Sequence, residues 1–136
     1  VELIILSIAL EKGNEFINPE SPQSKALNWL TGDSSRSELF SPAKIVQRYA
    51  LATLWYSTYS VGNQYTTKPI PTWTLDKGWL SSDDQCKWHG VHCDHEGLII
   101  ALFLPFNELT GKIPNEIVLL SDSIKMIDFT GNNVAN

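Results

Sequence analysis

The chain is 136 residues long, enough for one modest hydrophobic core and short of what two well-filled domains need. Hydrophobic residues at 43% and charged residues at 18% are values of a globular chain and exclude a disordered, charge-rich one. A formal net charge of -5 supplies no basic footprint, so neither nucleic acid nor an anionic membrane surface is expected as a partner.

The apolar run from Val1 to Leu10 is too short to cross a bilayer and is interrupted early by Glu2. With no initiating Met and no basic stretch ahead of it, two readings stay open: a buried first helix, or the tail of a longer hydrophobic segment. Further on, Ser21-Pro22 joins an N-cap hydroxyl to the proline that helices accept in first position. Ala26, Leu27, Trp29 and Leu30 follow, which predicts a short helix ending near Gly32. Small polar residues from Asp33 to Phe40 read as a loop.

Ser41-Pro42 repeats the start signal and predicts a second helix from Pro42 to Thr58. Ile45, Tyr49, Ala52 and Tyr56 form one stripe on it, and Val46, Ala50, Leu54 and Trp55 widen that stripe. This helix is therefore expected to be largely buried. Between Ser60 and Asp84 the punctuation of Gly62, Pro69, Pro71 and Gly78 breaks regular structure, while Tyr65, Trp73 and Trp79 supply apolar surface. An ordered loop pinned by aromatics is expected there.

The last third repeats itself. Positions 25 apart match: Ile99 with Ile124, Leu102 with Ile127, Leu104 with Phe129, Asn107 with Asn132 and Leu109 with Val134. Leu102 and Leu104 would alternate into a core from a short strand, and the Asn107 amide can satisfy backbone groups where the chain turns away. A second unit with Asn132 would extend that into an asparagine ladder.

The first unit, Leu102-x-Leu104-x-x-Asn107-x-Leu109-x-Gly111-x-Ile113-Pro114, resembles the repeat of plant-type leucine-rich-repeat (LRR) proteins. Just upstream, Cys86-x-Trp88-x-Gly90-Val91-x-Cys93 resembles the cap that precedes those repeats, and the stretch from Ser41 to Leu54, with Trp73 and Trp79, is similar to the extended helical cap of algal LRR proteins. The resemblance covers about residues 20 to 136. It implies a disulfide between Cys86 and Cys93, and cap packing through Trp79 and Trp88. Two features depart from the pattern: the repeat is one residue longer than the family's usual unit, with the extra residue expected around Leu120 to Ser123, and no Asn-x-Ser/Thr sequon occurs.

The same stretches contain residue types that serve other chemistry. His89, His92 and His95 beside Cys86, Cys93 and Asp94 could hold zinc, but recognisable zinc folds bring ligand pairs from separate elements and these are crowded into one stretch. No elbow motif positions a serine nucleophile, so no catalytic residue is assigned. Asp83-Asp84 and Asp94 lack the ligand order of a calcium loop, and Gly111 and Gly131-Asn132 read as turns rather than phosphate cradles. No metal or other cofactor is expected.

The resulting expectation is an α+β fold: an apolar N-terminal segment at 1-19, a helical LRR cap at 20-97 clamped by Cys86 and Cys93, and the start of a right-handed LRR solenoid at 98-136, one repeat complete and one partial. Strand alternation would place Ala101, Phe103, Pro105 and Phe106, then Met126, Asp128 and Thr130, on the face where repeat proteins bind. Phe103 and Phe106 are unusually apolar for a solvated strand, and packing against the chain's own helices is the competing account. The expected function is non-enzymatic recognition of a protein or peptide, outside the cell or at its surface. The alternatives are a structural accessory subunit docked in a larger, possibly membrane, assembly and a small Cys/His zinc protein, and for location an oxidising organelle lumen or a membrane-associated complex. Because a repeat leaves its apolar face open for the next, the residues are expected to belong to a longer chain or a complex.

Overall fold

The computed structural model describes residues 1-32, 35-59 and 73-135. The expectations placed on Asp33, Gly62, Tyr65, Pro69 and Pro71 lie outside the described residues. Among the described residues, helix α1 (Glu2–Ile8), α2 (Pro22–Thr31) and α3 (Pro42–Thr58) come first, and five short strands follow: β1 (Val91–Cys93), β2 (Ile99–Phe103), β3 (Thr110–Lys112), β4 (Met126–Asp128) and β5 (Asn133–Ala135). The fold is mixed helix and strand, with the helices first in sequence and the strands after them.

Helices α2 and α3 begin as their start signals require. The Ser21 hydroxyl accepts the Ser24 N–H at 3.0 Å and the Ser41 hydroxyl the Lys44 N–H at 3.4 Å, each with proline in the first turn. Each cap satisfies one of the donors a helix leaves orphaned, an effect of ~1 kcal/mol. Helix α3 is buried on two sides. Ile45, Tyr49 and Ala52 face α1 and α2, whereas Ala50, Leu51 and Leu54 face the tryptophans and the sheet. This division explains why its apolar stripe is wider than one face.

The N-terminal run forms α1, whose burial is one-sided. Ile5 is fully enclosed against the cluster of Ala26, Leu30 and Tyr49, which stabilises by about 1.5 to 3 kcal/mol. Leu3, Leu6 and Leu10 remain exposed. The segment is thus a helix docked by one row of residues rather than a buried one.

The strands form two sheets. β1 and β2 pair antiparallel, β2 and β4 pair parallel, and β3 and β5 make a separate parallel pair. β4 meets β2 in the register Ala101 with Met126, Leu102 with Ile127 and Phe103 with Asp128, 25 residues apart as the sequence match requires. The second sheet departs from it. β5 pairs Gly111 with Val134, a separation of 23, so Val134 is not opposite Leu109. A slip of two residues preserves side-chain direction, since strands alternate with period two, and Val134 still packs toward the core. The turn between the units runs from Ser121 to Ser123, where the extra residue was expected, after a 3-10 helix at Asn115–Leu120.

One close approach fixes the junction of β1 and β2. Gly90 has φ +81°, and a Cβ there would lie 2.2 Å from the Phe103 carbonyl oxygen, a position only glycine can hold. Beside it the chain's five tryptophans pack into one contiguous cluster, in which Trp55 also stacks on Trp79 at 6.1 Å. Trp29 and Trp88 are 5.8 Å apart, Trp88 and Trp79 5.2 Å, Trp79 and Trp73 4.6 Å, and Trp73 and Trp55 4.7 Å. Three indole N–H groups have acceptors, at Leu80 O, His89 O and Thr58 Oγ1. This cluster joins α2 and α3 to the sheet.

Candidate functional site

Of the residues assigned to one face by alternation, Ala101 and Phe103 lie on β2 and Met126 and Asp128 on β4, whereas Pro105, Phe106 and Thr130 lie in the turns after these strands. Register sets Phe103 beside Asp128, and Ala101 between His92 on β1 and Met126 on β4. Met126 is 54% exposed and Phe106 73%, Pro105 and Thr130 are exposed, and Phe103 and Asp128 are half-buried. Ala101 is only 9% exposed, flanked by the longer His92 and Met126, and forms floor rather than contact surface.

The two phenylalanines find partners within the sheet region. The Phe103 ring meets His92 at 5.2 Å and 73°. Phe106, with φ +50°, donates its N–H to the Thr130 carbonyl at 2.8 Å and lays its ring over Gly131. A Cβ on Gly131 would be 2.1 Å from the Phe106 ring, so the glycine is what lets the ring lie there. His92 belongs to this face, a role that its position in a Cys/His cluster concealed. Asp128 accepts the Thr130 N–H at 2.9 Å, and the Thr130 side chain and N–H hold its carboxyl below the usual range. It stays ionised near neutrality.

Behind the face, two asparagines join the backbone segments. Asn132 Oδ1 accepts the N–H groups of Asn107 at 2.9 Å and Leu109 at 3.0 Å, and its Nδ2 donates to the carbonyls of Leu104 at 2.7 Å and Phe129 at 2.9 Å. Asn107, 2% exposed, exchanges bonds with Leu75: Nδ2 donates to the Leu75 carbonyl at 2.8 Å and Oδ1 accepts its N–H at 2.6 Å. Buried backbone polar groups demand such partners. Gln47 on α3 makes a third stitch, accepting the Ile99 N–H at 2.8 Å and donating to Ser123 Oγ at 2.7 Å.

Cys86 and Cys93 are bonded to each other with their Cα atoms 5.7 Å apart. Their sulfurs are therefore engaged, which removes the thiolates that a Cys/His zinc centre would need. Trp88 is 1% and Trp79 7% exposed. Trp79 donates its Nε1–H to His89 O, at the centre of the cysteine segment.

Sequence reasoning missed Arg48. Its guanidinium is completely enclosed and donates from Nη1 to Asp83 O at 3.0 Å and Gln85 Oε1 at 3.1 Å, and from Nη2 to Ser35 O at 2.7 Å and Ser81 O at 2.8 Å. It lies within about 5 Å of the rings of Trp29, Phe40 and Trp88. Burial lowers its pKa to about 10 against the opposing pull of Asp84 and Asp83. A single arginine thus ties α3 to the segment leading into the disulfide. An arginine in a helix looks like a surface residue in sequence, and only the surrounding apolar positions hinted otherwise.

A separate cleft of about 600 Å³ is lined by residues that include Leu10, Glu11, Gln23, Lys112 and Glu116. Glu116 is 3% exposed and accepts from Gln23 Nε2 at 3.0 Å. Burial raises its pKa, with Glu15 and Glu11 adding to the rise. Among the described residues no group of three or more His, Cys, Asp or Glu side chains converges on one point in a way that could hold a metal ion.

The chain is 34% identical over 91 residues to a probable leucine-rich repeat receptor-like protein kinase of Arabidopsis thaliana, covering 60% of this chain and 10% of that protein. It is 30% identical over 71 residues to a receptor-like protein, Cf-9 homolog, of Solanum lycopersicum, covering 51% of this chain and 8% of that protein. The chain has leucine-rich-repeat character. It spans about a tenth of the length of these curated relatives. No family model matches it, and no solved structure does.

Proposed function

We propose that the chain is a non-enzymatic recognition module of LRR type, with its open sheet face as the binding surface and the helical part as a cap on the repeats. The observation that carries this reading is the open face itself. Aromatic and thioether side chains stand on short strands held in register by the asparagine bonds and the Gln47 stitch, which is a pre-organised surface. The similarity to proteins named as receptors supports recognition of a protein or peptide, and the disulfide suits an oxidising compartment, outside the cell or at its surface.

Selection of a displayed random-peptide library against the oxidised protein tests the reading. Recovered ligands should lose at least tenfold in affinity with Phe103→Ala or Met126→Ala and hold it with the remote Leu39→Ala. Ligands indifferent to the sheet face, or none at all, would reject that surface.

A second reading, a structural subunit within a longer chain or larger assembly, is favoured by a contrast between the two units. Ile99, Leu102, Leu104 and Leu109 are completely enclosed, yet their counterparts Ile124, Ile127, Phe129 and Val134 are all partly open, Ile127 at 39%. Nothing in the described structure covers this edge, as stacking would. Sedimentation of the isolated chain separates the readings: a monodisperse monomer that retains peptide binding argues for recognition, and self-association that abolishes binding argues for assembly.

A further inference from the structure

We propose that the pair Phe103 and Asp128, with His92 and Met126 of the adjacent row beside it, is a subsite for a basic side chain, arginine first, presented by a protein or peptide partner. The inference rests on the recognition reading and adds the chemistry of what is recognised. Register puts Phe103 and Asp128 directly side by side on β2 and β4, with both side chains on the open face. Neighbouring strands are ~4.8 Å apart. A cation can therefore lie over the Phe103 ring within the ~6 Å reach of a cation-π contact and touch the Asp128 carboxylate at the same time.

The surroundings favour that occupant over others. His92 stands against the Phe103 ring from β1 and holds it in place, while Met126 supplies an apolar, polarisable wall for the methylene stem. Asp128 accepts from Thr130 but makes no ion pair among the described residues, so its charge is not neutralised and can pair with a visiting cation. A planar guanidinium can stack and bond a carboxylate at once, which a compact ammonium does less well. An apolar side chain would cover the carboxylate without pairing it, and an acidic one would be repelled. The net charge of -5 steers cationic partners toward the chain in general.

The chain's one methionine is Met126, so a carbon-13 methyl label on methionine reports from the subsite alone. The oxidised protein is titrated with the blocked tetrapeptide Ala-Arg-Ala-Ala and with versions carrying citrulline, leucine or glutamate in place of arginine. The arginine peptide should move the Met126 methyl signal saturably and bind about tenfold more tightly than the citrulline peptide, and Asp128→Asn should erase that difference. Phe103→Leu should weaken the arginine peptide while leaving the leucine peptide nearly unchanged. Equal binding of arginine, citrulline and leucine peptides overturns the cation subsite but leaves the face as a recognition surface. A preference for glutamate, or no movement of Met126 with any peptide, also overturns it. Face-dependent ligands from the library that lack basic residues would fail this inference alone.

Discussion

Replacing Arg48 with methionine should cost about 3 kcal/mol of stability, a figure that follows from what the guanidinium does. Its four hydrogen bonds reach three backbone carbonyls and one side-chain amide, and at ~1.5 kcal/mol for each charged donor they contribute ~6 kcal/mol. Desolvation of the buried charge, the same burial that lowers its pKa to about 10, opposes them and offsets roughly half, since an effective cost of several kcal/mol per buried ion is usual. Methionine keeps the contacts with the Trp29, Phe40 and Trp88 rings but leaves all four acceptors without donors. For a urea slope of ~1.5 kcal/mol/M the midpoint should drop by about 2 M. Arg48→Lys should lose more than half as much, because a single ammonium cannot span the fork. The loss should be constant between about pH 5 and 8, since the group stays protonated well below its folded pKa. A change under ~0.5 kcal/mol, or a lysine variant as stable as the parent, would refute the view of Arg48 as the tie between α3 and the disulfide segment.

Four further outcomes are expected. Removing the disulfide by Cys86→Ser with Cys93→Ser opens a loop of sequence separation 7 and should lower stability by ~2 kcal/mol in urea unfolding. Asn132→Ala deprives the Asn107 and Leu109 N–H groups of their acceptor, so a loss of ~2 to 3 kcal/mol should come with faster hydrogen exchange at those two amides. Gly90→Ala drives a methyl into the Phe103 carbonyl and should cost ~3 kcal/mol by thermal unfolding. Glu116→Gln should stabilise the protein at neutral pH. Burial raises the folded pKa of this carboxyl, so ionising it weakens the fold as pH rises through the unfolded and then the folded pKa, and the difference between variant and parent should vanish in acid, where both are neutral.

Much of the local structure was legible because its signals are short-range. The Ser-Pro pairs located the starts of α2 and α3, and the spacing of Leu102, Leu104 and Asn107 located a strand and the turn after it. The 25-residue match reproduced the register of β2 with β4. What escaped depends on contacts between distant segments. The slip of β5 opposite Gly111 cannot be read from a repeat that looks uniform. Ala101 matches the open-face pattern, yet its covering depends on the size of His92 and Met126, which stand on other strands. Arg48 acquires its role only once Ser35, Ser81, Asp83 and Gln85 converge on it. Phe106 reads as an apolar strand residue, while its left-handed backbone and the absence of a side chain at Gly131 turn it across the neighbouring unit.

The claim that the open sheet face is the recognition surface is tested most directly by amide hydrogen exchange of the oxidised chain, free and saturated with a peptide recovered from the library. Slowed exchange confined to β1, β2, β4 and the segment from Phe129 to Gly131 is the expected result. Protection concentrated on the helices or around the Glu116 cleft, with the sheet amides unchanged, would contradict it.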